Sequence, residues 1–263
     1  MKQLPPFFGT RILDNIPFQD VVCLLDRDVL FASRWQFRKG QTTEDWNALK
    51  QKTIVPIFDR LIFQCEAKAI FEPKLVYGYF KCEKQGDNAL LVTSGEASTP
   101  SHTLPPRGGG RGWGGKEKIF RFEFPRRRQE PLLCAADFFQ DGFIIMQIAT
   151  VGDKVIAEGA RLFQEKRFTD AFYLKGLAAE MAEAAAEYGH RLIRRELEVP
   201  DDQGCRFSFG YPVAPNLMDQ EKIFALLNGR RIGVKLTETF HMVPEYSTSA
   251  IISVAAQAKL FRL

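Results

Sequence analysis

Histidine is scarce in this sequence, and the short motifs that mark common catalytic and metal sites are missing. The chain has three histidines, His102, His190 and His241, and none of the patterns HExxH, GxSxG or GxxxxGK[ST]. Metalloprotease, α/β-hydrolase and P-loop functions therefore have no support. We expect no metal site, and no side chain is predicted to serve as a catalytic acid, base or nucleophile.

Cysteines and long apolar runs are also few. The five cysteines are far apart, odd in number and free of any CxxC pair. Neither a disulfide framework nor a zinc cluster is indicated, and we expect buried free thiols. No run of about 18 uncharged apolar residues exists, which excludes a membrane-spanning helix. The first residues show no secretory signal, so we expect a cytoplasmic protein.

The composition is that of an ordinary globular protein, with 263 residues, 45% of them hydrophobic and 26% charged. The net charge of +4 is too small to argue for nucleic-acid binding. The segment around Arg107, Arg111 and Trp113 resembles an RGG-type RNA-binding stretch. Because that run is short and lies between predicted strands, we favour a flexible Ser/Pro/Gly-rich loop over 94–116 and expect no nucleic-acid partner.

The spacing of apolar residues predicts a mixture of helices and strands. Helices are expected at 20–25, 28–38, 43–70 (with a kink or break at Pro56), 153–165, 169–197 and 217–228. Strand patterns occur at 75–82, 89–93, 119–124, 143–150, 231–236 and 249–255. The continuous apolar run 143–150 predicts a central strand covered on both faces. Strict βαβ alternation is lacking and the first two strands form a tight hairpin, so an α+β fold is favoured over a doubly wound sheet.

One local pattern suits a small ligand. Arg206 stands four residues before Gly210, Tyr211 and Pro212. The segment combines a cation, a glycine that permits close backbone approach, an aromatic ring and a rigid turn. These features suit a ligand with an anionic end and a flat ring. An ordinary strand-to-turn segment is the alternative interpretation.

Two further groups of polar residues stand out. Glu183, Glu187 and His190 have spacings of four and three residues, which place them on one helix face. The residues alone favour a solvated face, on which Glu187 pairs with Arg191, over a ligand-binding one. The segment 236–249 holds threonines and serines around Pro244, which form either an edge of a polar pocket or a capped turn.

The joint order of these segments resembles the activation domain of cobalamin-dependent methionine synthase. The matching segments are 8–11 (FGTR), 31–40 (FASRWQFRKG), 124–126 (FPR), 136–139 (ADFF), 182–190 (AEA through EYGH), 206–212 (RxxxGYP) and 233–239 (GVKLTET). They span nearly the whole chain in one collinear order, and RxxxGYP with the downstream LTET is the most specific part. The resemblance implies one domain over 1–263, with a mostly antiparallel central sheet flanked by helices.

The resemblance also implies a ligand, S-adenosylmethionine, and the residues that hold it. By matching segments, Asp26 would face the ammonium group of the ligand, and Glu183 would hold a polar group from the long helix. Arg206 would hold the polar end. Gly210 and Tyr211 would border the adenosine and the corrin ring.

The implied role is reactivation of oxidised cobalamin by reductive methylation, with a cobalamin-binding methyltransferase module and a flavodoxin-like electron donor as partners. The B12-binding signature DxHxxG is absent, so cobalamin is expected on the partner, and we expect a free-standing reactivation component. Two departures from the family pattern lie at Ala214, where Cys is common, and around Leu260, where a tyrosine is common. They motivate the alternative of a non-catalytic docking protein for a corrinoid protein.

Overall fold

Seven antiparallel strands form the central sheet in the computed structural model, which describes residues 4–38, 42–94, 117–139 and 142–261. The strands are β1 (Gly9–Leu13), β2 (Lys74–Gln85), β3 (Ala89–Thr93), β4 (Ile119–Glu123), β5 (Phe143–Thr150), β6 (Cys205–Ser208) and β9 (Ser247–Ser253). Their order is β4-β3-β2-β5-β9-β6, and β1 pairs with β2 next to β3. A separate two-stranded hairpin joins β7 (Lys235–Leu236) to β8 (Met242–Val243). The α+β prediction with an antiparallel sheet is confirmed.

Helices cover both faces of the sheet. They are α1 (Phe18–Val22), α2 (Thr43–Leu49), α3 (Val55–Ala67), α4 (Lys154–Gln164), α5 (Phe168–Glu196) and α6 (Asp219–Leu227). Strand β2 shows how the two layers arise, because successive side chains of a strand point to opposite faces. Its Leu75, Tyr77 and Tyr79 join the core beneath α1, α3 and α5, while Val76 and Phe80 join the core beneath α6. Strand β5 is buried along its whole length, as its apolar run predicts.

Small residues let the long helix α5 lie close against the sheet. A Cβ atom added at Gly189 would stand 2.6 Å from Oε1 of Gln147 and 2.8 Å from Cδ2 of Leu75. Gln147 also donates a hydrogen bond from Nε2 to the carbonyl of Ala186 at 3.0 Å. The alanine-rich sequence of α5 therefore serves close packing, and it brings the polar residues between those alanines next to the sheet.

Helical structure runs from Thr43 to Ala67 with a change of hydrogen bonding in the middle. A π-helical segment, Lys50–Ile54, precedes Pro56, and Pro56 occupies the first turn of α3. Proline has no backbone N–H, so the continuous helical segment lacks one hydrogen bond at this position. The predicted irregularity at Pro56 thus takes the form of a π-helical segment on its N-terminal side. A second π-helical segment, Val29–Arg34, falls within the predicted helix 28–38.

Some predictions were wrong or incomplete. The strand predicted at 231–236 is present only at Lys235–Leu236 (β7), whereas Arg231 and Ile232 belong to a 3-10 turn, Gly229–Ile232, which is flanked by Asn228 and Gly233 with left-handed backbone angles. Strand β1 was not predicted. Cys23 is exposed at the end of α1, whereas the other four cysteines are buried as expected. The predicted loop 94–116 lies outside the described residues apart from Ser94.

None of the helices in the described ranges combines the length and apolar character that crossing a membrane requires.

Candidate ligand-binding cleft

A cleft of about 820 Å³ opens between helix α5 and the edge strand β6. This volume falls within the range of about 300–1,000 Å³ that is usual for sites of small molecules and cofactors. Its lining comes from α5, from β6 with the turn that follows, and from the last described residues of the chain. The lining residues are Arg34, Glu183, Glu187, His190, Arg194, Gly204, Cys205, Arg206, Phe207, Ser208, Tyr211, Pro212, Val213, Leu260 and Phe261.

Strand alternation places Arg206 in this cleft. Cys205 and Phe207 belong to the core beneath α6, so Arg206 and Ser208 point to the opposite face, towards α5. The guanidinium of Arg206 lies 3.8 Å from Oε2 of Glu183 and 3.7 Å from Oε2 of Glu187. Both distances are longer than a direct hydrogen bond. Arg206 is thus held loosely by two carboxylates and faces the open volume.

Glu187 is the centre of the charged network. Its Oε1 accepts a hydrogen bond from Nη1 of Arg194 at 3.0 Å and a longer one from Nε of Arg191 at 3.4 Å. Burial raises the pKa of Glu187, but His190 and the charges of Arg206 and Arg194 outweigh burial and lower it to about 2. Glu187 is therefore ionised at neutral pH.

His190 is buried, with only 3% of its side chain exposed. Its Nδ1 lies 3.7 Å from Oε2 of Glu187, and burial lowers the pKa of the imidazole below its usual value. The interpretation of this helix face as solvated is therefore wrong for His190, although the predicted pairing of Glu187 with Arg191 is present. The sequence signal for this burial is the pair of small residues Ala186 and Gly189, which lie against the sheet.

Gly210 and Tyr211 belong to the turn that follows β6; Tyr211 lines the cleft, whereas Gly210 is absent from its described lining. Gly210 has a φ of +85°, a conformation that favours glycine, and its N–H donates to the carbonyl of Ala214 at 3.0 Å. The N–H of Ala214 donates in return to the carbonyl of Tyr211 at 2.9 Å. This closed turn projects the ring of Tyr211 outward, where the residue is 63% exposed. The ring is thus available to pack against a ligand.

Arg34 is a cleft residue that was not predicted individually. It is the last residue of the π-helical segment Val29–Arg34, and its Nε lies 3.4 Å from Oε2 of Glu180 in α5. Asp26 lies close to this pair, because its charge contributes to the raised pKa of Glu180, of which burial is the main cause. Asp26 itself is absent from the described lining of the cleft. Its Oδ1 accepts a hydrogen bond from the N–H of Val29 at 2.9 Å.

A second groove of about 390 Å³ adjoins the cleft. The two share Arg34, Glu183, Ser208 and Tyr211 as lining residues. Hydroxyl groups of 247–249 line the second groove together with His241, so this segment does form the edge of a polar pocket. The alternative interpretation of the segment 236–249 was a capped turn, and a hydrogen-bonded turn is present as well. In it, the hydroxyl of Thr237 accepts a hydrogen bond from the N–H of His241 at 3.1 Å.

The cleft is built for binding charged and polar groups. Cys205 is the thiol in its lining, and burial raises its pKa to about 11, so the thiol stays protonated at neutral pH. Within the described ranges, no three or more His, Cys, Asp or Glu side chains are grouped so that they would hold a metal ion. The cleft lining contains three guanidinium groups, two carboxylates, an imidazole and an exposed tyrosine ring.

The fold and the cleft together define an α+β protein with a charged cleft at the edge of an antiparallel sheet. Residues 18–263 match the family described as "Vitamin B12 dependent methionine synthase, activation domain". The chain belongs to that family, as the resemblance of its motifs predicted.

Two relatives carry the name methionine synthase. The chain is 29% identical over 291 aligned residues to the protein of Mycobacterium tuberculosis and 28% identical over 291 to that of Mycobacterium leprae. Each match covers 98% of this chain and 23% of the relative, so the chain spans less than a quarter of the length of these proteins.

A solved structure shares the fold. It is described as "Crystal Structure of the MetH Reactivation Domain bound to AdoHcy" and superposes with a TM-score of 0.76 at 20% sequence identity. The match covers 99% of this chain and 82% of the other. At this level of identity the likeness concerns the architecture of the sheet and helices.

Proposed function

We propose that this protein binds S-adenosylmethionine in the cleft between α5 and β6 and acts as a reactivation component for a cobalamin-dependent methyltransferase. The observation that carries the proposal is the position of Arg206, which faces the cleft between two carboxylates at 3.7 and 3.8 Å. Membership of the activation-domain family supports it, and a structural neighbour binds AdoHcy, which has the same adenosyl and amino-acid parts.

The charges in the cleft suit the proposed ligand. S-adenosylmethionine carries one carboxylate and two positive centres, an ammonium and a sulfonium. Arg206 binds the carboxylate of the ligand, because a guanidinium forms charge-assisted hydrogen bonds with a carboxylate. Glu183 is 41% exposed and favours a positive centre of the ligand. Tyr211 and the Gly210 backbone border the adenosine, as the family pattern predicts.

The contact between Asp26 and the ammonium group of the ligand stays a prediction. In the structure the carboxylate of Asp26 caps the π-helical segment through Val29, beside Glu180 and Arg34. A carboxylate accepts several hydrogen bonds, so Asp26 can keep its bond to Val29 and still accept one from the ammonium group.

The protein's contribution to the reaction is positioning. The bound ligand supplies a methyl group for a reduced cobalt held by the partner module, and an electron comes from a flavodoxin-like donor. The leaving group is a neutral thioether, so no protein acid or base is needed to assist its departure. The cleft residues hold the carboxylate and orient the sulfonium, and the exposed Tyr211 lies at the opening through which a partner would approach.

A methyl-transfer experiment tests this function. The protein is mixed with a cobalamin-loaded methyltransferase module, a low-potential reductant and S-adenosylmethionine labelled on its methyl group. Label is expected on cobalt, in an amount that depends on this protein and falls with Arg206→Ala. Transfer at the same rate with and without this protein would contradict a reactivation role.

A second candidate function is docking to a corrinoid protein without methyl transfer. The observation in its favour is Leu260, which lines the cleft and is 71% exposed, where the family commonly has a tyrosine against the ligand. The same experiment separates the two functions. Binding to the cobalamin-loaded module without any label on cobalt is the result expected for a docking protein.

A further inference from the structure

Helix α4 carries a second apolar stripe that the core of the protein does not use. Its buried side chains Val155 and Leu162 are seven residues apart and face the core. Ile156 and Phe163 stand one position further round the helix, and they are 42% and 64% exposed. Residues seven apart lie on one face of a helix, so Ile156 and Phe163 form a stripe that faces solvent.

Helix α5 continues this apolar face. Phe168 and Phe172 are four residues apart, which puts them on one side of the helix, and they are 53% and 40% exposed. The rings of Phe163 and Phe168 contact each other edge to face across the turn that joins the helices, with 4.9 Å between their centroids. Together with Ile156, these rings line a groove of about 410 Å³, which we call the α4–α5 groove.

The size of this face suits a protein partner. Apolar side chains that are exposed singly are normal, whereas several on one face mark an interaction surface. The four exposed apolar side chains of the groove offer roughly 400 Å² to a partner. A stable interface of standard size buries about 800 Å² on each side, and somewhat more than half of that area is apolar. The apolar face is thus large enough for the apolar part of such an interface.

The charges beside the groove are balanced. Arg167, which precedes Phe168, is bound to Asp170 at 2.8 Å. The described lining of the groove holds one cation, Lys175, and one carboxylate, Glu245, and both residues are exposed. Neither forms an ion pair with another described residue. A strongly acidic or strongly basic partner therefore finds no complementary charge here, whereas a surface with one charge of each sign is complementary to itself.

We propose that two copies of this chain pair through the α4–α5 groove, so that the apolar faces pack together and Lys175 of each protomer pairs with Glu245 of the other. A two-fold symmetric contact uses the same patch on both subunits, which requires a patch that is complementary to itself. A continuous apolar face with one unpaired charge of each sign meets this requirement. The groove and the cleft between α5 and β6 have no lining residue in common within the described ranges, so the inference does not depend on the proposed function.

Analytical ultracentrifugation at several protein concentrations tests the pairing. We expect the wild-type protein to be dimeric, with a dissociation constant in the micromolar range or below. Phe163→Glu should raise this constant at least about tenfold, because pairing would bury a charge in the apolar contact. A wild-type protein that is monomeric at about 100 µM would overturn the inference and leave this face to a different protein.

Phe8→Glu is the matched control for the added charge. Phe8 is 41% exposed and precedes β1, whose Arg11 bonds to Glu196 at the C-terminal end of α5, whereas the groove lies at the N-terminal end of that helix. This variant should dimerise as the wild type does. Equal dimerisation of Phe163→Glu, Phe8→Glu and wild type would overturn the inference.

Charge reversal tests the pairing with exposed side chains, whose replacement does not disturb the core. Lys175→Glu and Glu245→Lys should each weaken the dimer about tenfold, because each change brings like charges together at both of the symmetric contacts. The variant that carries both reversals should return to within about twofold of wild type, since opposite charges meet again. Recovery in this variant would support the pairing of the two side chains. A double variant as weak as the single ones, or single variants that dimerise as wild type does, would overturn it.

Discussion

Glu187 is bound by Arg194 of its own helix, with 3.0 Å between Oε1 and Nη1. Arg206 lies further away, 3.7 Å from Oε2 of the same carboxylate. Because Arg194 already compensates Glu187, the guanidinium of Arg206 can exchange its weak contacts for a ligand carboxylate without leaving Glu187 uncompensated. The cleft thus contains one arginine, Arg194, that is bound tightly to Glu187 and another, Arg206, whose contacts with it are weak.

The first prediction separates these roles by substitution. Arg206→Ala should weaken S-adenosylmethionine binding by about 1.5–3 kcal/mol, because a charge-assisted hydrogen bond is lost. Arg191→Ala is the matched control, since Arg191 also contacts Glu187 but is 52% exposed and lies outside the lining of the cleft. It should leave affinity nearly unchanged. Calorimetry measures both affinities. Similar losses of affinity in both variants would mean that the overall positive charge near the cleft, and not a specific contact of Arg206, controls binding.

The second prediction concerns the close packing of α5 on the sheet. Gly189→Ala should destabilise the fold by about 1–3 kcal/mol, because its Cβ would stand 2.6 Å from Oε1 of Gln147. Gly159→Ala in α4 is the control, as no atom lies within 4 Å of its added Cβ. It should stabilise by up to about 1 kcal/mol through helix propensity. Denaturant unfolding measures both, and equal effects would contradict the tight contact.

The third prediction is the loss of stability in acid. Hydrogen bonds from Arg161 and Lys68 lower the pKa of Glu158 to about 2, below its ordinary value of 4.5. The folded state therefore binds fewer protons than the unfolded state, so this stabilisation is present above pH 4.5 and disappears as the pH falls towards 2.

Glu158→Gln should accordingly flatten the dependence of unfolding free energy on pH in that window. Glu66→Gln, at an exposed position of α3, should leave the dependence as in wild type. Asp137 and Glu187, whose pKa values are also lowered to about 2, contribute to the slope that remains. An unaltered slope in Glu158→Gln would show that its ion pairs contribute nothing in solution.

The fourth prediction uses the end of α3. The N–H of Ile70 bonds to the carbonyl of Cys65, and that of Ala69 to the carbonyl of Glu66, which is the Schellman arrangement. Ala69 has a φ of +46°, where glycine is favoured. Ala69→Gly should raise the unfolding free energy by about 1 kcal/mol, and Ala67→Gly inside the helix should lower it. The opposite order in thermal unfolding would contradict this backbone conformation.

Much of the fold is predictable because its elements are long and strongly patterned. Strand β5 and helix α5 have clear apolar periodicity, and their positions agree with prediction to within a few residues. The N-terminal part of the segment 231–236 was misassigned because its apolar residues alternate as in a strand, while left-handed backbone angles at Asn228 and Gly233 flank a 3-10 turn over Gly229–Ile232. Strand β1 has only five residues and gains its stability from pairing with β2, a non-local contact that its own sequence does not reveal.

The site was predicted unevenly for a related reason. Arg206, Glu183 and Tyr211 belong to a local motif or a matching segment, and the structure brings them together in one cleft. The participation of Arg34 depends on the packing of a distant segment beside α5, which no local pattern shows. The burial of His190 follows from how closely α5 approaches the sheet, a distance set by the whole layer.

Isothermal titration of the wild-type protein with S-adenosylmethionine tests binding in the cleft most directly. 5′-Methylthioadenosine, which lacks the amino-acid end, is the matched control ligand. We expect saturable binding of one S-adenosylmethionine per chain, and affinity for the control at least about tenfold lower because Arg206 then has no carboxylate to bind. Absence of binding at millimolar S-adenosylmethionine, or equal affinity for both ligands, would contradict the proposed site.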